Sequence, residues 1–209
     1  MQISSDSFAD GAPIPAEFAF CAADPVTRVR LGQNRNPHLA WQGAPAATRS
    51  FVITCVDPDV PGVGDDVNQE GRSVPASLPR VEFFHWLLID LPATVNEIRA
   101  GEFSADVTPR GKGGPLAAHG ARQGINDYTG WFAGDGDMSG DYFGYDGPCP
   151  PWNDELPHRY VFTVHALDIE RLDVAGPLTG AAIRAAMAGH VLAQASITGR
   201  YTLNPAVSL

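Results

Sequence analysis

Apolar runs of strand length, each bounded by proline, glycine or aspartate, constrain most strongly how this chain can fold. The clearest three are residues 51–56, 83–90 and 160–167. The 22 glycines and 18 prolines are spread along the chain rather than gathered in a linker, as expected when many short strands need turns. We therefore predict a mostly β protein in which two antiparallel sheets pack face to face as a β-sandwich.

Helical patterns are few. Between about residues 179 and 195 apolar side chains recur every four positions, and Thr179 can cap the first turn. These apolar residues are Ile183, Met187 and Val191. A shorter helix is expected at about 94–101. No change in composition divides the chain, so we predict one domain over residues 1–209 with a C-terminal helix and one or two short helices.

The charge balance limits the choice of partners. The chain has 24 acidic and 14 basic side chains and a formal net charge of −10, which repels nucleic acid and anionic membrane surfaces. We expect no nucleic-acid partner. The first twenty residues lack both a basic start and a long apolar run, so we expect no signal peptide, no insertion into a membrane and a cytoplasmic location.

The cysteines and one glycine-rich stretch carry little information about chemistry. Cys21, Cys55 and Cys149 are an odd number at irregular spacing, which argues against a disulfide framework and a four-ligand zinc site. We expect three reduced thiols. The stretch TPRGKGG at 108–114 lacks the Gly-Lys-Ser/Thr ending of a phosphate-binding loop, and we expect no cofactor.

His158 and Tyr160 are the first candidate site residues, because they follow the stiff sequence GPCPP at 147–151. Side chains two apart in a strand share a face. Both would therefore point with Phe162 toward the core, at a strand end where a pocket can form. A half-buried strand end whose polar tips reach solvent also explains them.

Asp57 and Asp59 are the second candidates, in the sequence Asp-Pro-Asp-Val-Pro at 57–61. The prolines restrict the backbone and hold both carboxylates on a rigid loop. An ordinary Asp-Pro turn is the alternative, since aspartate bonds readily to nearby backbone.

His85 is the third candidate, because it lies within the apolar strand at 81–90 and a buried imidazole needs a partner. Alternation predicts that it shares a face with three apolar residues, Phe83, Leu87 and Ile89. It is either a satisfied core histidine or one whose tautomer is fixed by Asp57 or Asp59.

Together these segments resemble the phosphatidylethanolamine-binding protein family, also called the Raf kinase inhibitor protein-like family, and in particular its bacterial branch. The motifs that carry the resemblance are Asp-Pro-Asp-x-Pro at 57–61, His85, Gly-Pro-x-Pro-Pro at 147–151 and His-Arg-Tyr at 158–160, with NPHLAW at 36–41 and QGINDY at 123–128 beside them. It extends from about residue 20 to the end and implies a β-sandwich with a C-terminal helix and a small anion-binding pocket. By this resemblance the pocket residues are Asp57, Asp59, Pro61, His85, Pro151, His158 and Tyr160.

The resemblance implies a binding protein rather than an enzyme. Its ligand would be a phosphate-like anion or a small phosphorylated molecule such as a phosphoethanolamine head group, to which imidazole and phenol groups can donate. Two carboxylates without an obvious lysine favour a phosphomonoester or a zwitterion over a fully charged phosphate. The resemblance also implies a homodimer and a protein partner such as a kinase.

Two other functions stay open. A hydrolase would use Asp57 or Asp59 with His85 or His158 as acid and base, although the chain has no nucleophile elbow and no HExxH sequence. An interaction protein with a vestigial pocket is the other alternative.

Residues 129–146 are longer than the connection usual at this place in bacterial members of the family that the chain resembles. They therefore form an insertion beside the expected pocket, and it could act as a lid. Its apolar side chains are Trp131, Phe132, Tyr142 and Phe143. The same stretch has oxygen ligands spaced as in a calcium loop, at Asp135, Asp137, Ser139 and Asp146, with glycine at the sixth position. A solvated glycine-rich loop is the alternative to a calcium site.

Overall fold

Ten strands form three antiparallel sheets in the structure, a computed structural model that describes all 209 residues. The strands are β1 (Gln2–Ser4), β2 (Cys21–Asp24), β3 (Arg28–Leu31), β4 (Leu39–Gln42), β5 (Ser50–Pro61), β6 (Arg80–Pro92), β7 (Glu97–Ile98), β8 (Arg122–Gln123), β9 (His158–Leu167) and β10 (Val191–Tyr201). The helices are α1 (Tyr128–Trp131) and α2 (Gly180–Met187), with 3-10 turns at Ala16–Phe18 and Ala118–Gly120. The three apolar runs predicted as strands lie inside β5, β6 and β9, so that prediction is confirmed.

Two of the sheets form the predicted sandwich. The five-stranded sheet has the order β10-β9-β5-β6-β8, and the three-stranded sheet has the order β1-β4-β7. They meet across the main core, where the Trp41 ring of β4 packs edge-on against Phe51 of β5 with ring centres 5.2 Å apart. The third sheet, the two-stranded ribbon β2–β3, was not predicted.

The C-terminal helix is shorter than its sequence pattern predicts. Thr179 caps it as expected, because its hydroxyl accepts from the Ala182 N–H. The helix ends at Met187, and Gly189 has a φ of +84° that helical backbone does not allow. Val191 therefore begins β10 instead of a third helical turn. Neither α-helix has the length and apolar character needed to cross a bilayer.

The predicted helix at about 94–101 is wrong. Residues Glu97–Ile98 form β7, which pairs with β4 so that Ile98 lies opposite Leu39. Both side chains are fully buried in the main core. Burial in a sheet overrides the weak local helical pattern.

A bulge in β6 decides where His85 points. Along the β5–β6 pair Cys55 lies opposite Trp86, whereas the next residue, Val56, lies opposite Phe84. His85 is thus an extra residue on β6, and an extra residue shifts the alternation of side chains along a strand.

The bulge corrects one sequence prediction. His85 faces the main core with Phe83, and their ring centres are 4.8 Å apart, as predicted. Leu87 and Ile89 lie instead in a second apolar cluster under α2, on the outer face of the sheet. The prediction that His85 shares their face is wrong, because simple alternation does not include the bulge.

Two of the three cysteines form a disulfide, so the prediction of three reduced thiols is wrong. Cys21 at the start of β2 is bonded to Cys149, 128 residues later in the chain. Only Cys55 is free, and it is buried in β5. An irregular spacing along the sequence says nothing about the distance between two side chains in the fold.

Candidate functional site

A cavity of about 560 Å³ lies in the main core side of the sandwich, where β5, β6 and β9 meet the segments around Tyr128 and Cys149. We call it the main pocket. Six of the seven predicted site residues line it: Asp57, Pro61, His85, Pro151, His158 and Tyr160. The seventh, Asp59, does not.

His85 contributes an unused nitrogen to the main pocket. Its Nδ1–H donates to the backbone carbonyl of Asp146 over 2.7 Å, and Nε2 has no hydrogen-bond partner. Burial lowers the pKa of His85, although the negative charge of Asp57 opposes this. The imidazole is therefore neutral, and Nε2 can accept a hydrogen bond. A backbone carbonyl, not Asp57 or Asp59, fixes the tautomer.

Tyr160 contributes an unused hydroxyl. Its ring stands edge-on to His85 with ring centres 5.0 Å apart, and the residue is fully buried. The hydroxyl is buried without any hydrogen-bond partner. Burial raises the pKa of Tyr160 well above its ordinary value, so the O–H proton stays in place as a donor. A buried polar group without a partner is costly, and it is the feature of this pocket that most needs an explanation.

His158 is fully engaged by two carboxylates. Its Nδ1–H donates to Asp57 over 2.6 Å, and its Nε2–H donates to Asp154 over 3.1 Å. Burial acts against the positive charge, but hydrogen bonds to Asp154 and Asp57 raise the pKa of His158 to about 9. The imidazolium therefore has no N–H left for a ligand, contrary to what the sequence predicts for it.

Asp154 links this buried network to a fourth charged group, Arg80. Arg80 donates to both of its oxygens, over 2.5 and 3.0 Å. Burial would raise the pKa of Asp154, but hydrogen bonds from His158 and Arg80 lower it below the ordinary value. Sequence reasoning missed Asp154, although a carboxylate four residues before a candidate histidine was a usable signal.

Asp59 ties two strands together rather than facing the pocket. Its carboxylate accepts from the backbone N–H of Arg159 over 2.9 Å, and from the Nε and Nη2 of the same residue over 2.9 and 2.8 Å. This two-pronged pair joins β5 to the start of β9. Asp59 therefore orients the strand ends that carry Asp57 and His158.

The proline-rich segment forms one wall of the main pocket. Cys149, Pro150 and Pro151 line it, and Cys149 is bonded to Cys21, which lines it as well. The backbone N–H of Cys21 also donates to the Pro148 carbonyl over 3.0 Å. Restricted proline backbone and a covalent link thus hold this wall in one position.

Part of the insertion also contributes to the pocket lining. Trp131, Phe132, Asp137 and Met138 line the main pocket. Tyr142 and Phe143, predicted as lid material, do not line it. Trp131 remains 54% exposed at the mouth, so the insertion narrows the entrance without sealing it.

Asp146 belongs to the interior of the fold. Its buried carboxylate accepts from Asn34 over 2.7 Å, from Lys112 over 2.6 Å and from Asn126 over 2.8 Å. Lys112 is the only lysine in the sequence, and it does not line the main pocket. With its backbone carbonyl on His85, Asp146 fixes the orientation of that imidazole.

The calcium-loop interpretation of the insertion is therefore wrong. Asp146, the expected twelfth-position ligand, is used by three protein donors. Asp135 is exposed and stabilises a turn by accepting from the N–H groups of Asp137 and Met138, each over 2.9 Å. No cluster of three or more acidic, histidine or cysteine side chains in the structure could hold a metal ion.

Comparison with known proteins settles the family. The model of the phosphatidylethanolamine-binding protein family matches residues 4–202. The chain belongs to this family. The resemblance seen in the sequence is thereby confirmed.

Relatives of known sequence and structure agree. The chain is 35% identical over 205 residues to the UPF0098 protein YbhB of Escherichia coli K12, covering 97% of this chain and 100% of that protein. The solved structure of Escherichia coli YbcL, described as a new member of the mammalian PEBP family, matches with a TM-score of 0.67 and 28% identity, over 96% of this chain and 97% of that one. A Chlamydia trachomatis homologue matches with a TM-score of 0.63 and 26% identity, over 96% and 95%.

Proposed function

We propose that the main pocket binds a small phosphorylated or zwitterionic molecule, such as a phosphoethanolamine head group, and that the protein acts by binding rather than by catalysis. One observation carries the proposal. The buried Tyr160 hydroxyl has no partner, and it lies beside an imidazole, His85, whose Nε2 is also unused.

The two unused groups call for a ligand that both accepts and donates. The Tyr160 O–H can donate to a phosphoryl oxygen, and the neutral His85 Nε2 can accept from a P–OH or an ammonium N–H. A singly protonated phosphomonoester has both groups, and so does phosphoethanolamine. A fully charged phosphate has only acceptors and leaves Nε2 unpaired.

The charges of the pocket favour a ligand without a large net negative charge. No arginine or lysine lines it, and the charges of Asp57 and Asp154 are balanced by those of His158 and Arg80. Asp137 is exposed and has no ion-pair partner, and both Asp137 and the aromatic Trp131 line the main pocket. A carboxylate and an aromatic face are both favourable neighbours for an ammonium group.

Asp137 should therefore contribute to selection of a zwitterion. Asp137→Asn is expected to lower the affinity for phosphorylethanolamine by about two- to fivefold, the range of an exposed ion pair. The affinity for ethyl phosphate should stay unchanged or rise slightly. Calorimetric titration measures both. Asp141→Asn removes the same charge from the same exposed stretch outside the pocket, and it should change neither affinity. Equal losses in both variants would contradict a direct role for Asp137.

A hydrolase is less well supported. His158 holds both protons between two carboxylates and cannot serve as a general base near neutral pH. Burial raises the pKa of the Cys55 thiol well above its ordinary value, so it is a poor nucleophile.

We further propose a homodimer and a protein partner such as a kinase. Leu31, Val63 and Trp131, each more than half exposed, surround the pocket mouth, and exposed apolar groups of this kind support protein contacts. Light scattering on the purified protein distinguishes a monomer of 22.2 kDa from a species of twice that mass.

The cytoplasm remains the proposed location, and the disulfide provides its test. Disulfides rarely persist in a reducing cytoplasm. Acid quenching of intact cells followed by alkylation in denaturant should therefore modify Cys21 and Cys149 if the protein is cytoplasmic, because unfolding exposes the buried Cys21. Protection of both would place the protein in an oxidising compartment.

Titration of a panel of phosphorylethanolamine, ethyl phosphate and inorganic phosphate, with an assay of released phosphate, tests the binding function. Saturable heat without phosphate release is the expected result. Phosphate release would support the hydrolase. No heat with any of the three would favour the interaction protein with a vestigial pocket.

A further inference from the structure

A second cavity, of about 510 Å³, lies on the other face of the five-stranded sheet, between the sheet and α2. We call it the outer cavity. Its floor includes Thr54, Val161, Thr163 and His165, and its wall includes Ile183 and Met187.

The sheet separates the outer cavity from the main pocket. Phe84 lines the outer cavity, while the next residue, His85, lines the main pocket. Likewise, Val161 lines the outer cavity and its neighbour Tyr160 lines the main pocket. No residue lines both. A ligand in the outer cavity would therefore touch none of the groups that we assign to the main pocket.

His165 gives the outer cavity an unused polar group. Its Nδ1 is buried and has no hydrogen-bond partner. Burial lowers the pKa of His165 to about 4, although a hydrogen bond with the side chain of Gln194, which lies opposite it on β10, opposes the shift, so the imidazole is neutral at physiological pH. The nearby Thr163 hydroxyl is already bonded to Ser196 over 2.8 Å and does not satisfy it.

The other groups around the cavity carry no net charge. At its edge Arg184 pairs with Glu82 over 2.7 Å, and the guanidinium also lies 5.0 Å from the centre of the Phe84 ring. The remaining wall is largely apolar, with Leu87, Ile183 and Met187. An uncharged ligand with an apolar body fits this lining better than an ion.

We propose that the outer cavity is a second binding site, for a small uncharged molecule with an apolar ring and one hydroxyl group. The ring packs against Ile183 and Met187, and the hydroxyl bonds to Nδ1 of His165. A hydroxyl can both donate and accept, so it pairs with either tautomer of the imidazole.

Phenol and toluene are the probes, because they share a shape and differ by one hydroxyl. Calorimetry and the imidazole ¹H–¹⁵N signals of His165 measure binding. Phenol should bind at least about fivefold more tightly than toluene, the value of one neutral hydrogen bond, and should shift the His165 signals. Equal affinities, or no saturable phenol binding, would overturn the proposal.

Three variants complete the experiment. His165→Leu should reduce the affinity for phenol to that for toluene. His165→Asn, which keeps a polar atom near the Nδ1 position, should retain part of the preference. Tyr160→Phe should leave phenol binding unchanged. Loss of phenol binding in Tyr160→Phe, or its persistence in His165→Leu, would assign phenol to another place and overturn the proposal.

Discussion

Replacing Asp57 with alanine should lower the free energy of unfolding by about 3–5 kcal/mol, the cost of leaving a buried charge without its partner. Asp57 and His158 are each 1% exposed and are joined over 2.6 Å. Without Asp57 the imidazolium keeps only Asp154. Urea denaturation of wild type and Asp57→Ala measures the change. Asp65→Ala, at an exposed carboxylate without an ion pair, should change stability by less than about 0.5 kcal/mol.

The same network gives stability a defined pH dependence. The pKa of His158 is raised from 6.5 in the unfolded chain to about 9 in the fold. Its contribution is therefore fully present below about pH 6.5 and is lost as pH rises through 9. Unfolding free energy should fall by up to about 3 kcal/mol across this window, and by less in Asp57→Ala. An unfolding free energy that does not change from pH 6.5 to 9 would contradict the assignment of a charged imidazolium to His158.

Removing the disulfide should cost about 3–5 kcal/mol of unfolding free energy. The link joins residues 128 positions apart, and closing so long a segment strongly restricts the unfolded chain. Cys21→Ser with Cys149→Ser, compared with wild type in denaturant with and without reductant, measures the effect. Reductant should destabilise wild type and leave the double variant unchanged. Three titratable thiols in unreduced wild type, with no response to reductant, would contradict the bond.

The sequence predicted the sandwich because its central strands are also its most apolar runs. Alternation along β9 correctly assigned Tyr160 and Phe162 to the core side. Alternation failed on β6, where a bulge at His85 changes the faces. The helical pattern was also misleading at the start of β10. Ile183, Met187 and Val191 follow one another at helical spacing, and only Gly189 marks the end of the helix.

Most of the predicted residues line one pocket, but the hydrogen bonds that they make were not predictable. The motifs brought together six residues that line one pocket. They did not show that Asp57 bonds His158 rather than His85, or that Asp59 is used by Arg159. These pairings depend on distances between strands, and a single sequence does not contain them. For the same reason the Cys21–Cys149 bond was missed.

The central claim is that the Tyr160 hydroxyl is kept for a ligand. Calorimetric titration of phosphorylethanolamine into wild type and Tyr160→Phe tests it most directly. The variant should lose about tenfold or more in affinity, since a hydrogen bond to a charged group is lost, while its stability stays equal or rises because no protein bond is removed. Tyr145→Phe, whose hydroxyl donates to the Phe18 carbonyl over 2.6 Å, should lose stability but not affinity. Equal affinities of wild type and Tyr160→Phe, or no saturable binding to wild type, would contradict the account.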